Sequence, residues 1–460
     1  MFVWVRILLA VLVLGLGSTA RADDLASRMD AYMRARVELG HFTGAVAVMK
    51  NSELLFQGAY GPSDLAGGAN TPATLFQAAS ITKPMTALAV FRLRDAGKLA
   101  LDDRLCRFIA PCPETWRAIT LEQLLAHTAG VPDYEAALEM GSPTWTAMMR
   151  RPDSAQAVID WARERPLDFA PGKGFAYSNT GYVLLAHVIA RASGQRYETY
   201  VREAVFDPFG LTAARLGGEG PAPGLATGLI GTDEPSSEVL AAGRTPGPEW
   251  MRAVPAAVPG AGHGDAALLT TAADLARFGD RYLAALSPDD AERIRRDPTG
   301  AGYGLGWMLT PNGGLAHNGV LPGFVSRLSL DPATGLTIAV LSNFGGARFD
   351  VVARDLALIA GSRPYEVPRP HLIAPMDPAW AEGLIGDWRM GALDVTVTLQ
   401  DGRLFLAAPG RFRAGLLPEG RDVFYLPFFE GVMRVERDGA SAVTGWTLTF
   451  RGESHPARRP

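Results

Sequence analysis

The sequence predicts an α+β fold followed by a small all-β domain, and three observations support this prediction. A hairpin of two apolar strands, Gly44 to Lys50 and Glu53 to Gly58, precedes an apolar helix that follows Phe76. Patterns typical of helices and of strands then both recur as far as residue 360, among them a predicted strand over Gly302 to Leu309. Beyond a proline-rich stretch only strand patterns remain, as in Leu393 to Leu399, where every second residue is apolar.

Residues 1–22 are predicted to be a cleavable signal peptide. Arg6 precedes an apolar run from Ile7 to Gly17, and Ala20-Arg21-Ala22 supplies the Ala-x-Ala pattern that precedes such a cleavage site. The run is shorter than the roughly 20 residues that a helix needs to span a bilayer. We therefore expect cleavage near Ala22 and a periplasmic or secreted mature chain without a transmembrane segment.

Three further segments follow the signal peptide. We expect a large α+β domain at residues 23–360, a linker at residues 361–379 and a small β domain at residues 380–460. The linker prediction rests on the prolines between Pro364 and Pro378, because proline stiffens an extended chain. Residues from about Gly217 to Gly264 are rich in Gly, Ala and Pro, which indicates an irregular insertion or lid.

The composition excludes several classes of function. Of 460 residues, 20% are charged and the formal net charge is −4, which gives no support for binding nucleic acid or an anionic membrane surface. The two cysteines, Cys106 and Cys112, lack the neighbouring histidine or second cysteine pair of a zinc site, so no metal or other cofactor is predicted. In an oxidising compartment the two form either a disulfide or a pair of buried thiols. The oligomeric state stays open.

The segment Ser80-Ile81-Thr82-Lys83 carries the strongest chemical signal. On a helix, the spacing of three residues brings Ser80 and Lys83 to one face, with roughly 5–6 Å between their Cβ atoms. The residues after Pro84 are apolar on nearly every side, which is typical of a buried helix. Serine becomes a good nucleophile when a neighbouring group takes its proton, and a lysine one turn away can take part. The alternative is that Ser80 only caps the helix and Lys83 is solvated.

Two further elements carry polar side chains suited to a catalytic site. Tyr177-Ser178-Asn179 lies in a loop that enters a helix, and His317-Asn318-Gly319 lies on a strand that continues into Val320. Each has a structural alternative. Tyr177 can be a packing aromatic, Asn179 only a helix cap and His317 an ordinary strand histidine.

Taken in this order, the three elements resemble the motifs of the serine β-lactamase and penicillin-binding-protein superfamily, which are Ser-x-x-Lys, Ser/Tyr-x-Asn and Lys-Thr-Gly. The resemblance is closest to class C β-lactamases, D-aminopeptidases and related esterases, which use Tyr-x-Asn and often His-x-Gly. Leu124 to Val131 is similar to the superfamily's Leu-Leu-x-His-Thr-Ser-Gly segment, in which His127 shapes the site without doing chemistry. The resemblance covers about residues 27–360.

The resemblance implies a β-lactamase/transpeptidase-like fold, with an antiparallel sheet flanked by helices and an all-helical part. The C-terminal residues are similar to the small lipocalin-like, barrel-like domain that is often appended to such hydrolases. On this basis Ser80 is the nucleophile and Lys83 and Tyr177 share its proton, while the choice of base between them stays open. A tyrosine with a pKa near 10 serves as base at neutral pH only if that pKa is lowered, and we expect the adjacent ammonium of Lys83, with help from His317, to lower it. Asn179 contacts Lys83 or the acyl side chain of the substrate.

The third motif is expected to complete the site. The backbone N–H groups of Ser80 and Val320 would bind the oxyanion of the tetrahedral intermediate. His317 and Gly319 belong to the substrate-binding strand, and His317 stands where β-lactamases have a lysine. Because a histidine with a pKa near 6.5 is often neutral at pH 7, it binds a substrate carboxylate less strongly than lysine does.

We therefore expect an exported serine hydrolase that forms an acyl-enzyme on Ser80 and cleaves an ester or amide in a small molecule or peptide. Within the same superfamily the alternatives are a true class C-like β-lactamase and a D-Ala-D-Ala carboxypeptidase. An alternative from another class is a non-catalytic module that binds peptidoglycan or an acyl ligand.

Overall fold

The computed structural model describes residues 24–139, 142–220, 222–231, 251–254, 263–409, 412–426, 429–450 and 453–460. The predicted signal peptide and much of the predicted insertion at 217–264 lie outside these ranges. The described residues form two compact units, one that ends at Val367 and one that begins at Pro368.

The longer strands of the first unit lie near its two ends in the sequence, and most of its helices lie between them. In the described residues they are β1 (Gly44–Lys50), β2 (Glu53–Tyr60), β3 (Phe76–Ala79), β4 (Arg215–Leu216), β5 (Leu229–Gly231), β6 (Met251–Ala253), β7 (Leu268–Thr270), β8 (Met308–Leu309), β9 (Leu315–Leu321), β10 (Phe324–Asp331) and β11 (Leu336–Ser342).

The helices of the first unit occupy the same described ranges. They are α1 (residues 24–38), α2 (Thr82–Asp95), α3 (Leu121–Leu125), α4 (Tyr134–Leu138), α5 (Pro143–Met149), α6 (Ser154–Arg163), α7 (Asn179–Ser193), α8 (Tyr197–Val201), α9 (Asp207–Phe209), α10 (Ala272–Tyr282), α11 (Pro288–Arg293) and α12 (Phe349–Ala360).

An antiparallel sheet with the order β2-β1-β11-β10-β9-β8 forms the centre of the first unit. The residues of strand β1 alternate between two apolar clusters, so both faces of the sheet are covered. Ala45, Ala47 and Met49 belong to one apolar cluster, and the intervening Val46 and Val48 belong to another. Helices α1 and α12 cover the second cluster, while α2, α7 and α10 contribute to the first. This arrangement confirms the predicted α+β fold with an antiparallel sheet between helices.

The helical region lies around α2, whose residues from Thr82 to Phe91 are all buried. The prediction of a buried helix after Ser80 is therefore confirmed. Near α2, Cys106 and Cys112 form a disulfide, which decides between the two alternatives for these cysteines.

The second unit is a closed antiparallel barrel with the strand order β12 to β19, which confirms the small all-β domain. Its described strands are β12 (Gly386–Met390), β13 (Leu393–Gln400), β14 (Arg403–Ala408), β15 (Phe412–Gly420), β16 (Val423–Leu426), β17 (Gly431–Arg437), β18 (Val443–Phe450) and β19 (Glu453–Arg458), preceded by the short helix α13 (Pro378–Ala381). The turn between β13 and β14 is Asp401-Gly402, and both residues have positive φ angles, as a two-residue hairpin requires. Trp388 and Trp446 are fully buried in the core of the barrel.

Among the residues that the structure describes, no helix has both the length and the apolar character needed to cross a bilayer.

Candidate active site

Ser80 lies in a tight turn between the end of β3 and the start of α2. Ala79 has a φ of 50°, a conformation that residues other than glycine adopt rarely and that is common at functional sites. The hydroxyl of Thr82 donates to the carbonyl oxygen of Ala79 at 2.7 Å and accepts from the backbone N–H of Leu268 at 2.9 Å. The turn that presents Ser80 is thus fixed to β7 as well as to its own helix.

Lys83 is fully buried, and its amine is held by three acceptors. Nζ donates to Oδ1 of Asn179 at 2.6 Å, to Oγ of Ser80 at 3.0 Å and to the backbone carbonyl of Asp265 at 3.1 Å. An ammonium group has three N–H donors, and each has a partner here. The alternative of a solvated Lys83 is therefore wrong.

Tyr177 covers this amine, since the centre of its ring lies 4.8 Å from Nζ of Lys83. The residue is 37% exposed, but protein atoms surround its hydroxyl group. Burial raises the pKa of Tyr177, and the charge of Lys83 together with hydrogen bonds to Lys83 and Ser80 opposes this rise only in part. The hydroxyl is therefore protonated at neutral pH. We expected the neighbouring ammonium to lower this pKa, but burial is the larger effect.

Asn179 is the first residue of α7 and is not its cap. The cap is Ser178, whose hydroxyl accepts from the backbone N–H of Gly181 at 3.2 Å. The side chain of Asn179 is thereby free to bind Lys83 through Oδ1 and Oε2 of Glu135 through Nδ2, the latter at 2.9 Å. Its own backbone N–H donates to Oδ1 of Asp133 at 2.8 Å.

His127 supports the second motif from behind. Its Nδ1 accepts from the backbone N–H of Ser178 at 3.1 Å, and its ring centre lies 4.3 Å from that of Tyr177. Burial and the nearby charge of Lys83 hold the pKa of His127 well below its usual value, so the imidazole is neutral. These contacts agree with the expectation that this residue shapes the site.

His317 is neutral and has protein partners on both ring nitrogens. Nδ1 lies 2.7 Å from the carbonyl oxygen of Asn318, which only accepts, so we assign the ring proton to Nδ1. Nε2 then accepts from the hydroxyl of Tyr303 at 2.9 Å. Burial and the charge of Lys83 lower the pKa of His317 to about 3, and the residue is 2% exposed. It therefore adds no positive charge beside Tyr177.

Gly319 allows β9 to approach the strand that leads to Ser80. A Cβ atom at this position would lie 2.1 Å from the carbonyl oxygen of Ala78 and 2.4 Å from Oγ of Ser326, both far too close. The next residue, Val320, lies on the same strand with its side chain 47% exposed. The role of the Val320 N–H in an oxyanion hole stays a prediction.

A group of carboxyl groups beside Lys83 was missed by our sequence analysis. Asp133 caps α4, Glu135 binds Asn179, and Asp265 accepts from the hydroxyl of Tyr134 at 2.8 Å and contacts His263 at 3.2 Å. Asp133 and Glu135 lie within four residues of the end of the Leu124–Val131 segment, so two acidic residues close to a recognised motif were an available signal. Asp265 gave none, because it reaches the site only through long-range folding.

Burial affects these carboxyl groups differently. It raises the pKa of Asp133, and together with the charge of Asp265 it raises the pKa of Glu135 to about 8. Burial also acts to raise the pKa of Asp265, but His263, Lys83 and Tyr134 outweigh it and hold that pKa below its usual value. The described residues contain no group of His, Cys, Asp and Glu side chains arranged to hold a metal ion.

The site contains a serine that is hydrogen-bonded to a buried lysine, and a tyrosine and an asparagine complete the cluster. In this fold, such a site defines a serine hydrolase. The chain belongs to the beta-lactamase family, whose model, described as Beta-lactamase, matches residues 29–362. A curated relative is "Penicillin-binding protein 4*" of Bacillus subtilis (strain 168), 27% identical in an alignment of 417 residues that covers 85% of this chain and 89% of that protein.

Solved structures share the fold. The octameric penicillin-binding protein homologue from Pyrococcus abyssi has a TM-score of 0.64 and 21% sequence identity, and the alignment covers 94% of this chain and 99% of that one. The D-amino acid amidase from Ochrobactrum anthropi SV3, complexed with L-phenylalanine amide, has a TM-score of 0.59 and 22% identity, over 73% of this chain and 96% of that one. At these identities the two likenesses show the fold alone.

Proposed function

We propose that this protein is an exported serine hydrolase that forms an acyl-enzyme on Ser80 and cleaves an ester or an amide in a small molecule or peptide. The observation that carries the proposal is the 3.0 Å contact between Nζ of Lys83 and Oγ of Ser80. It belongs to a network that also includes Asn179 and Tyr177, so the serine has a fixed orientation beside two groups that can accept its proton once they have lost one of their own.

In the proposed reaction Oγ of Ser80 attacks the carbonyl carbon, and its proton passes to the pair formed by Lys83 and Tyr177. The oxyanion of the tetrahedral intermediate accepts from the backbone N–H groups of Ser80 and Val320. The pair then protonates the leaving alcohol or amine as the C–O or C–N bond breaks, which leaves the acyl group on Ser80. Water attacks this ester by the reverse path, releases the acid and returns the proton to Oγ.

The pair must lose one proton before it can accept another. With three acceptors around Nζ, Lys83 is arranged as an ammonium, and the raised pKa of Tyr177 keeps its hydroxyl neutral. We therefore propose that the active form has one proton fewer, shared by the two residues, and that its apparent pKa belongs to the pair. It follows that kcat/KM rises with pH on its acidic limb.

The neutral His317 supports a preference for simple esters or amides over penicillins and cephalosporins. A lysine at this position would present a charge to the substrate carboxylate, whereas both nitrogens of His317 already have protein partners. The relative that is a penicillin-binding protein favours the second candidate, a β-lactamase or D-Ala-D-Ala carboxypeptidase. The amidase named above shares the fold alone, so the choice between an ester and an amide stays open.

The proposal of export rests on the signal-peptide pattern at residues 1–22. The disulfide between Cys106 and Cys112 supports it, because such bonds persist in oxidising compartments and are rare in the cytosol. Expression of the full chain with a C-terminal tag, fractionation and mass spectrometry of the N-terminus would test it. A mature N-terminus near Asp23 in the exported fraction is expected, and an intact N-terminus retained in the cytosol would contradict it.

The test of the hydrolase proposal is covalent labelling. Wild-type protein should react with a fluorophosphonate probe, and mass spectrometry of the digest should place the label on Ser80. Ser80→Ala should abolish both labelling and hydrolysis of p-nitrophenyl acetate, while Ser193→Ala, a serine at the far end of α7, should behave as wild type. A label that survives in Ser80→Ala would refute the mechanism. A parallel assay with nitrocefin distinguishes the second candidate function.

A further inference from the structure

The side-chain amide of Asn179 has hydrogen-bond partners on its two sides, and these fix its orientation. Its oxygen lies 2.6 Å from Nζ of Lys83, and its nitrogen lies 2.9 Å from Oε2 of Glu135 and 3.4 Å from Oδ2 of Asp133. A flipped amide would place its NH₂ group against the ammonium of Lys83, where two groups of donors face each other and the 2.6 Å contact is lost. The carboxyl groups of Glu135 and Asp133 therefore favour the orientation of the Asn179 amide in which its oxygen faces Lys83.

We propose that Glu135 is a positioning residue for the Ser80 reaction: it orients the amide of Asn179, whose oxygen then directs Nζ of Lys83 toward Oγ of Ser80. This inference rests on the proposed function. In the described residues Glu135 makes no hydrogen bond to the serine or the lysine, so its positioning effect passes through Asn179.

The position of Glu135 in the fold suits this role. It is the second residue of α4, which Asp133 caps, and the same Asp133 accepts from the backbone N–H of Asn179 at 2.8 Å. The start of α4 and the start of α7 are thus joined through both the backbone and the side chain of Asn179. The backbone contact fixes where Asn179 sits, and the contact from Glu135 fixes which way its amide faces.

The groups facing Glu135 explain its ionisation. They are Tyr134 and Asp133 on its own segment, Asp265 on the segment before β7, Lys83 on α2, and Asn179 at the start of α7. Burial and the negative charges of Asp265 and Asp133 outweigh the charge of Lys83, so the pKa of Glu135 rises to about 8. The carboxyl group is mostly neutral at pH 7 and becomes charged in mildly alkaline solution.

Ionisation of Glu135 has a defined effect on the proposed proton acceptors. A negative charge on Glu135 raises the pKa of Tyr177, so it opposes the loss of the hydroxyl proton that the active form requires. A glutamine at position 135 still offers an oxygen to Nδ2 of Asn179 but cannot acquire this charge. The two side chains should therefore act alike at pH 7 and differ above about pH 8.

A second cluster nearby resembles a catalytic triad but is not one. Oγ of Ser154 lies 3.0 Å from Nε2 of His263, whose Nδ1 lies 3.2 Å from Oδ1 of Asp265. All three residues are fully buried, so no substrate reaches the serine. The cluster instead fixes Asp265, whose backbone carbonyl is one of the three acceptors around Lys83.

The experiment uses the full mature chain and compares Glu135→Ala, Glu135→Gln and the matched control Glu139→Gln, an exposed glutamate that follows α4. We measure kcat/KM for p-nitrophenyl acetate, the rate of fluorophosphonate labelling and the thermal midpoint. Loss of a hydrogen bond to a charged or strongly polar group predicts about a ten-fold fall for Glu135→Ala. Glu135→Gln should stay within about three-fold of wild type at pH 7, since the acceptor for Asn179 remains. The control should be unchanged.

Two readouts separate positioning from a general structural role. In the Asn179→Ala background, Glu135→Ala should cause no further loss, because the group it orients is gone. Between about pH 7 and pH 9, Glu135→Gln should gain more activity than wild type, since only wild type acquires the opposing charge. This comparison also holds if Glu135→Ala fails to fold.

The outcomes are distinct. Wild type without a label on Ser80 overturns the proposed function, and this inference with it. Wild type that is labelled, together with a Glu135→Ala rate within two-fold of wild type, overturns only the positioning role. The positioning role alone is also overturned if Glu135→Ala lowers the rate as much in the Asn179→Ala background as in wild type. Parallel pH profiles of kcat/KM for wild type and Glu135→Gln would overturn it as well.

Discussion

Gly319→Ala is the substitution whose effect follows most directly from the geometry. Gly319 has no positive φ, so alanine is acceptable to its backbone, and the obstacle is purely one of contact. The added Cβ would lie 2.1 Å from the carbonyl oxygen of Ala78, whereas ordinary contacts begin at 3.4 Å. Strands β9 and β3 must therefore separate by about 1 Å. This moves Val320, whose N–H is the predicted oxyanion donor, away from Ser80. A misplacement of that size lowers the rate about 100-fold.

The assay for Gly319→Ala is kcat/KM for p-nitrophenyl acetate together with the rate of fluorophosphonate labelling, both expected to fall about 100-fold. Gly439→Ala is the matched control, since a Cβ atom there meets nothing within 4 Å. Circular dichroism and the thermal midpoint show whether the variant is folded. A folded Gly319→Ala protein with activity within three-fold of wild type would refute the argument that the contact between these strands positions the site.

Three further predictions address the proton pair, substrate charge and stability. Lys83→Ala and Tyr177→Phe should each lower the acylation rate by at least about 100-fold, and the double variant should lose less than the sum of the two in log units; full additivity would mean that they act separately. His317→Lys should shift the ratio of kcat/KM for nitrocefin over a p-nitrophenyl ester roughly ten-fold toward the anionic substrate, and an unchanged ratio would contradict our account of His317. Replacing Cys106 and Cys112 with serine should lower the free energy of unfolding by about 2 kcal/mol with little change in activity, measured by denaturant titration, because the bond closes a short loop; equal stability would mean that this loop is already ordered in the unfolded chain.

The parts of the fold that the sequence predicts well are those with local causes. The β1–β2 hairpin and strand β13 are each defined by a local pattern of apolar residues, and both occur as predicted. The strand that we expect over Gly302 to Leu309 is mostly wrong, since only Met308–Leu309 is a strand. Glycines at 302, 304 and 306 interrupt this segment, and two of them have positive φ angles that a strand does not accept.

The site shows the same division between local and long-range causes. Ser80 and Lys83 are near in sequence, so helix geometry alone predicts their contact. The partner that orients Asn179 lies 44 residues away, and Asp265 lies 182 residues from Lys83. The pKa of Tyr177 also depends on burial, which no spacing reveals, and our expectation of a lowered value failed for this reason.

The electrostatics of the site provide a second reason for a neutral substrate. The pKa of Glu135 rises from 4.5 to about 8 chiefly because its carboxyl group loses contact with water, and next because Asp265 is negative. A substrate carboxylate bound beside Lys83 would also lose its contact with water and lie near the negative charge of Asp265, and both effects disfavour its charged form. Lys83 offsets them for Glu135 only in part, and the neutral His317 does not add the charge that a lysine would supply. A neutral ester or amide avoids this unfavourable transfer, which is why we place simple esters and amides ahead of β-lactams.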